Sequence, residues 1–99
     1  MARQVTETTI RKFMNDENFR LSNTEIITDS ESTKLYLFGN LIARKDKATG
    51  KIEVTMAGYG TATTRERLNG LPNVRINQIN GAQYLNGKVI DTYKWYAIN

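Results

Sequence analysis

Two Asn-Gly pairs, Asn80-Gly81 and Asn86-Gly87, separate three short runs near the end of the chain. Both residues of such a pair tolerate the positive φ that a two-residue type I′ turn requires, so the pair is the strongest short-range hairpin signal. The runs NVRINQI (73–79), AQYL (82–85) and KVI (88–90) are therefore expected to form a tight antiparallel meander. Thr92 to Ile98 (TYKWYAI) alternates Tyr93, Trp95 and Ala97 against Lys94, Tyr96 and Ile98, and reads as the last strand. The second β meander is thus placed over 73–98.

A first β region is expected over 24–57. TEIIT (24–28) is a short β-prone run ending in the polar cluster Asp29 to Ser32. KLYLFGNLIAR (34–44) carries Leu35, Leu37 and Leu41 on one face and Tyr36, Phe38 and Ile42 on the other, the pattern of a central strand covered on both sides. Gly39-Asn40 in its middle suggests a bulge, a kink or a close backbone approach. After a turn at 46–50, KIEVTMA (51–57) points Ile52, Val54 and Met56 inward and Lys51, Glu53 and Thr55 toward water.

Between the two β regions lies GYGTATTRERLNGLP (58–72). Thr63-Thr64-Arg65-Glu66 fits a capping box, with Thr63 bonding the Glu66 N–H and Glu66 reaching back. Gly70 suits a left-handed position after the last helical residue, and Pro72 cannot continue the helix. A short helix over 61–70 follows, docked by Leu68 and Leu71. Arg65 is expected to point away from the sheet and Arg67 to lie along the flank. The Gly58-Tyr59-Gly60 approach lacks the glycine spacing and lysine of phosphate loops, so it reads as a strand-to-helix reversal. Residues 1–20 read as a short helix or an extended arm: Val5, Ile10, Phe13 and Met14 fit a helical stripe imperfectly, and Thr6, Thr8 and Thr9 weaken it. The fold class is α+β: an antiparallel sheet of about five to six strands with one short central helix and an N-terminal helix or arm, in a single domain over 1–99.

Composition narrows the chemistry. The chain has 99 residues, no cysteine and no histidine. That removes disulfides, thiolate metal sites, cysteine catalysis, the commonest general base and the commonest neutral metal ligand. Nearly all of the ten carboxylates sit in turns or on predicted solvent faces with no paired acid and base, so no enzyme activity, catalytic residue, metal site or cofactor is expected. No apolar run is long enough to span a bilayer and no signal core opens the chain, which reads as soluble, cytoplasmic and not bound to membranes.

The net charge of +4 draws such a chain toward nucleic acid, anionic membranes or acidic protein surfaces, or serves solubility alone. Its cations are scattered, and Arg44, Lys45, Lys47 and Lys51 are interrupted by Asp46. Aromatic residues interleaved with basic ones near the C-terminus fit a single-strand platform, but in a small chain the same rings are needed as core. The candidate binding residues are Tyr59, Arg65 and Arg67 at the helix, with Arg75 and Lys94 from the second meander. Uncovered strand edges make a homodimer an open expectation.

The order of Gly39-Asn40, Ile42-Ala43, Gly58-Tyr59 and then Thr61-x-Thr63-Thr64-x-x-Arg67-Leu68-Asn69, followed by Gln78 and an aromatic-rich hairpin, resembles a group of small phage-encoded proteins of uncharacterised function. The resemblance covers roughly residues 34 to 87, and its most specific part is Thr61 to Asn69. Those proteins often carry tryptophan where this chain has Tyr59, and often run the helix longer. The resemblance implies a phage accessory protein in the host bacterial cytoplasm and supplies no catalytic or binding residues. On that footing the expected function is stoichiometric binding of a host protein, such as a defence or transcription component. The alternative is a small basic nucleic-acid-binding protein.

Overall fold

Two of the three threonines that argue against an N-terminal helix, Thr6 and Thr9, lie on its buried face. In the computed structural model, which describes residues 4–99, helix α1 runs Gln4–Met14 and buries Thr6, Thr9, Ile10 and Phe13. That spacing of i, i+3, i+4 and i+7 is one continuous helical stripe. The Thr9 hydroxyl donates to the Val5 carbonyl at 2.6 Å, so its polar group is satisfied within the helix. Glu7 in the first turn and Arg11 and Lys12 in the last complement the helix dipole.

Strands β1 (Phe19–Leu21), β2 (Thr24–Thr28), β3 (Ser32–Leu37), β4 (Asn40–Asp46), β5 (Ile52–Val54) and β9 (Tyr96–Ala97) pair in that order as one antiparallel sheet. Strands β6 (Ile76–Ile79), β7 (Ala82–Leu85) and β8 (Lys88–Val89) form a second, three-stranded sheet. Helix α2 (Ala62–Leu68) connects the two and touches β4, β6 and α1. The architecture is α+β and mostly β. Phe13 and Ile10, Leu68 and Leu71, the inward residues of the larger sheet, and Ile76 and Leu85 of the smaller one share a single apolar core.

The stretch 34–44 is not one strand. Phe38 and Gly39 adopt φ of 51° and 78° and turn it into a hairpin between β3 and β4. The register also shifts, from Leu35 opposite Ala43 to Tyr36 opposite Leu41, so Ile42 is an extra residue. This bulge buries both Ile42 and Ala43, while Leu41 is only half-buried, which reverses the faces expected for Leu41 and Ile42. Thr55, expected in water, is buried. Strand β1 has no counterpart in the sequence reading, and the expected final strand shrinks to Tyr96–Ala97. Both Asn-Gly turns form as expected, with φ of 50° and 83° at Asn80-Gly81 and 52° and 84° at Asn86-Gly87.

The helix α2 cap is also shifted. Thr61, not Thr63, is the N-cap: its hydroxyl accepts from the Thr64 N–H at 3.3 Å. Glu66 turns to α1 instead of back to its own cap, accepting from the Thr6 hydroxyl at 2.6 Å. Gly70 is not left-handed. A side chain there would place its Cβ 2.7 Å from Ile10 Cγ1 and from Thr6 Cγ2, so this glycine lets α1 and the end of α2 approach. Gly70→Ala is therefore expected to lose about 1–3 kcal/mol through overpacking, read from urea unfolding. Thr6→Ser in the same chain removes the Cγ2 methyl, keeps the hydroxyl, and should recover part of the loss.

The end of α1 is tied to the sheet by a second polar group. Lys45 is buried and donates to the Met14 carbonyl at 2.9 Å and pairs with Asp16 at 3.0 Å. Asp16 accepts from the Thr33 hydroxyl at 2.6 Å. That hydrogen bond, with Lys45 beside it, holds the Asp16 carboxyl below its ordinary value of 3.8. A carboxyl lowered on folding stabilises the fold above its unfolded pKa and loses that contribution as pH falls through the lower folded value. Stability should thus decline as pH drops below about 4. Asp16→Asn, compatible with the positive φ of 56° at this position, should start less stable at neutral pH and show a shallower acid decline in thermal melts.

Candidate functional site

The arginines of the central helix are fastened inside the molecule. Arg67 shares the buried face of α2 with Thr64 and Leu68 and is 3% exposed. Its Nε donates to the Thr24 hydroxyl at 3.2 Å and one terminal nitrogen to the Thr6 hydroxyl at 2.9 Å. It also pairs with the Glu66 carboxylate. The expectation that Arg67 lies along the flank as a contact residue is corrected: it joins α1, α2 and β2. Arg65 is half-buried and does not point freely away. One terminal nitrogen donates to the Gly60 carbonyl at 3.1 Å, to Gln78 at 2.9 Å and to Gln83 at 3.1 Å, tying α2 to the small sheet.

The other predicted residues lie apart. Arg75 is exposed beside the Asn86-Gly87 turn, where its backbone N–H donates to Asn86 Oδ1 at 2.9 Å. Lys94 is exposed in the turn that follows Asp91. Trp95 is half-buried, and the Arg44 guanidinium sits 3.9 Å from its ring centroid while also bonding Glu53 at 3.0 Å. Among the described residues no group of three or more acidic residues could hold a metal, and no helix is long and apolar enough to cross a membrane.

Tyr59 is different. It is 53% exposed and lines a groove of about 420 Å³ together with Phe38, which is 68% exposed. Buried Leu37, Ile42 and Met56 border the same groove, and Asn40, Thr61 and Thr63 supply its polar rim. The β3–β4 turn delivers Phe38, and the Ala57-Gly58 turn, with φ of 52° and 81°, delivers Tyr59. None of the lining residues carries a formal charge. The volume falls in the range of ligand pockets, roughly 300–1,000 Å³. Arg65, Arg67, Arg75 and Lys94 do not line it.

The sequence pattern alone does not single out Phe38, because it places this residue in the middle of a strand. The available signal was the glycine after it. Among the described residues four two-residue turns repeat nearly the same pair of positive φ values, and the first position is Phe38, Ala57, Asn80 or Asn86. Asparagine is the residue that tolerates this conformation; a bulky aromatic there is a true outlier.

No curated protein and no solved structure matches the chain. Residues 2–98 match the family described as Kyanoviridae Gp96 protein, a family of phage proteins, and the chain belongs to that family.

Proposed function

We propose that this phage protein acts by stoichiometric binding of a host protein, such as a defence or transcription component, in the host cytoplasm and without catalysis. The observation that supports this most strongly is Phe38: a large apolar ring held at φ 51° on the exposed tip of a hairpin. Neither local backbone preference nor burial favours phenylalanine there, and strain of this kind concentrates at functional positions. The uncharged lining of the groove selects an uncharged apolar side chain of the partner, seated between Phe38 and Tyr59 against Met56, whose flexible thioether adapts to irregular shapes.

Nucleic acid is the weaker reading. Arg67 and Lys45 are buried in internal networks, Arg65 is bound by two glutamines and a carbonyl, and Arg44 is shared between Glu53 and Trp95. The test is a pull-down from nuclease-treated host lysate, run beside retention on a labelled oligonucleotide across a salt series. The proposal expects a stoichiometric protein partner. Oligonucleotide binding that weakens steeply with salt, and no protein partner, would replace it with the nucleic-acid reading.

A further inference from the structure

The chain contains three Asn-Gly pairs, Asn69-Gly70, Asn80-Gly81 and Asn86-Gly87. Such pairs share one chemical hazard, because glycine has no Cβ to block approach of its backbone nitrogen to the preceding side-chain amide. The structure fastens two of the three side chains and not the third. Asn69 is held at both ends of its amide: Nδ2 donates to the Ile76 carbonyl at 3.0 Å and Oδ1 accepts from the Ile76 N–H at 2.6 Å. The Gly70 N–H is itself bound to the Arg67 carbonyl at 3.2 Å. Asn86 is held in the same way, with Oδ1 accepting from Arg75 N–H at 2.9 Å and Nδ2 donating to the Asn73 carbonyl at 2.8 Å. Asn80 stands exposed at the tip of the β6–β7 hairpin with no such fastening, and the space around Gly81 is open.

We infer that Asn80 is a site of spontaneous backbone-assisted deamidation, and that the folded protein protects Asn69 and Asn86 from the same reaction. The Gly81 backbone nitrogen attacks Asn80 Cγ. The new N–Cγ bond closes a succinimide, the Cγ–Nδ2 bond breaks, and Nδ2 leaves as ammonia with the proton that Gly81 gives up. Water then opens the ring. Addition at Cγ breaks the bond to the Gly81 nitrogen and yields aspartate, whereas addition at the main-chain carbonyl yields isoaspartate. No oxidant or enzyme is required. The product adds a negative charge to the turn between Gln78 and Gln83, the two side chains that hold Arg65.

The test is incubation of the folded full-length protein at mildly alkaline pH, followed by peptide mapping with mass spectrometry and chromatographic separation of isoaspartate. The expected result is an amide-to-acid mass gain at position 80, in both product forms, several-fold faster than at 69 or 86. In denaturant, where the hydrogen bonds are gone, all three sites should react at similar rates. Reaction at Asn69 or Asn86 as fast as at Asn80 in the folded protein would overturn the inference. So would an Asn80 that reacts in denaturant but is preserved in the fold.

Discussion

Arg67→Ala is expected to lower the unfolding free energy by about 3–5 kcal/mol, the loss typical of a buried charge pair deprived of one partner. Against a total stability of roughly 5–15 kcal/mol for a domain of this kind, that removes a large share and brings the variant near unfolding at moderate temperature. The guanidinium is 3% exposed and serves three acceptors on three elements: the Thr24 hydroxyl on β2, the Thr6 hydroxyl on α1 and the Glu66 carboxylate on α2. Truncation leaves a cavity among these elements and strips the Glu66 carboxylate of a buried counter-charge. Arg67→Met combined with Glu66→Gln keeps most of the volume and removes both charges. It should therefore be far closer to wild type than Arg67→Ala. Urea unfolding with an unchanged m-value measures both. A loss below about 1 kcal/mol for Arg67→Ala would instead mark Arg67 as an ordinary surface cation.

This result separates what the sequence makes legible from what it does not. The Asn-Gly turns, the β2 and β5 strands and the helix ended before Pro72 follow from local backbone rules, and the structure contains all of them. The destination of Arg67 depends on tertiary packing. Its clue was positional: once Leu68 is placed inward, Thr64 and Arg67 lie on the same face of the helix. The α1 stripe was obscured for a related reason. Thr6 and Thr9 are poor helix formers in isolation, yet their hydroxyls are satisfied by Glu66 and Val5 when buried. Strand β1 is three residues, Phe-Arg-Leu, too short to show a period. The Phe38-Gly39 turn was hidden because phenylalanine contradicts the conformation it adopts. That contradiction is also what marks the candidate site.

Phe38→Asn is expected to weaken partner binding sharply while leaving the fold as stable as wild type, or more stable by up to about 1 kcal/mol. Asparagine already occupies the equivalent position in the Asn80-Gly81 and Asn86-Gly87 turns, at φ values within a degree of that at Phe38. Little core packing is lost, since the ring is 68% exposed. If Phe38 anchors a partner, its removal should weaken binding by about 2 kcal/mol or more, roughly thirtyfold. Tyr59→Ser, the other exposed aromatic lining the groove, should weaken it in the same direction with the fold intact. A stability loss at Phe38→Asn comparable to that of a core residue would mean that the ring serves folding.

The most direct measurement is a paired capture from nuclease-treated lysate of the bacterial host, with wild-type protein and the Phe38→Asn variant as baits and thermal melts run on both. The account predicts that wild type retains a stoichiometric protein partner, and that the variant, melting at the same or a higher temperature, retains far less of it. Equal recovery of the same partner by both baits would contradict the Phe38–Tyr59 groove as the binding surface.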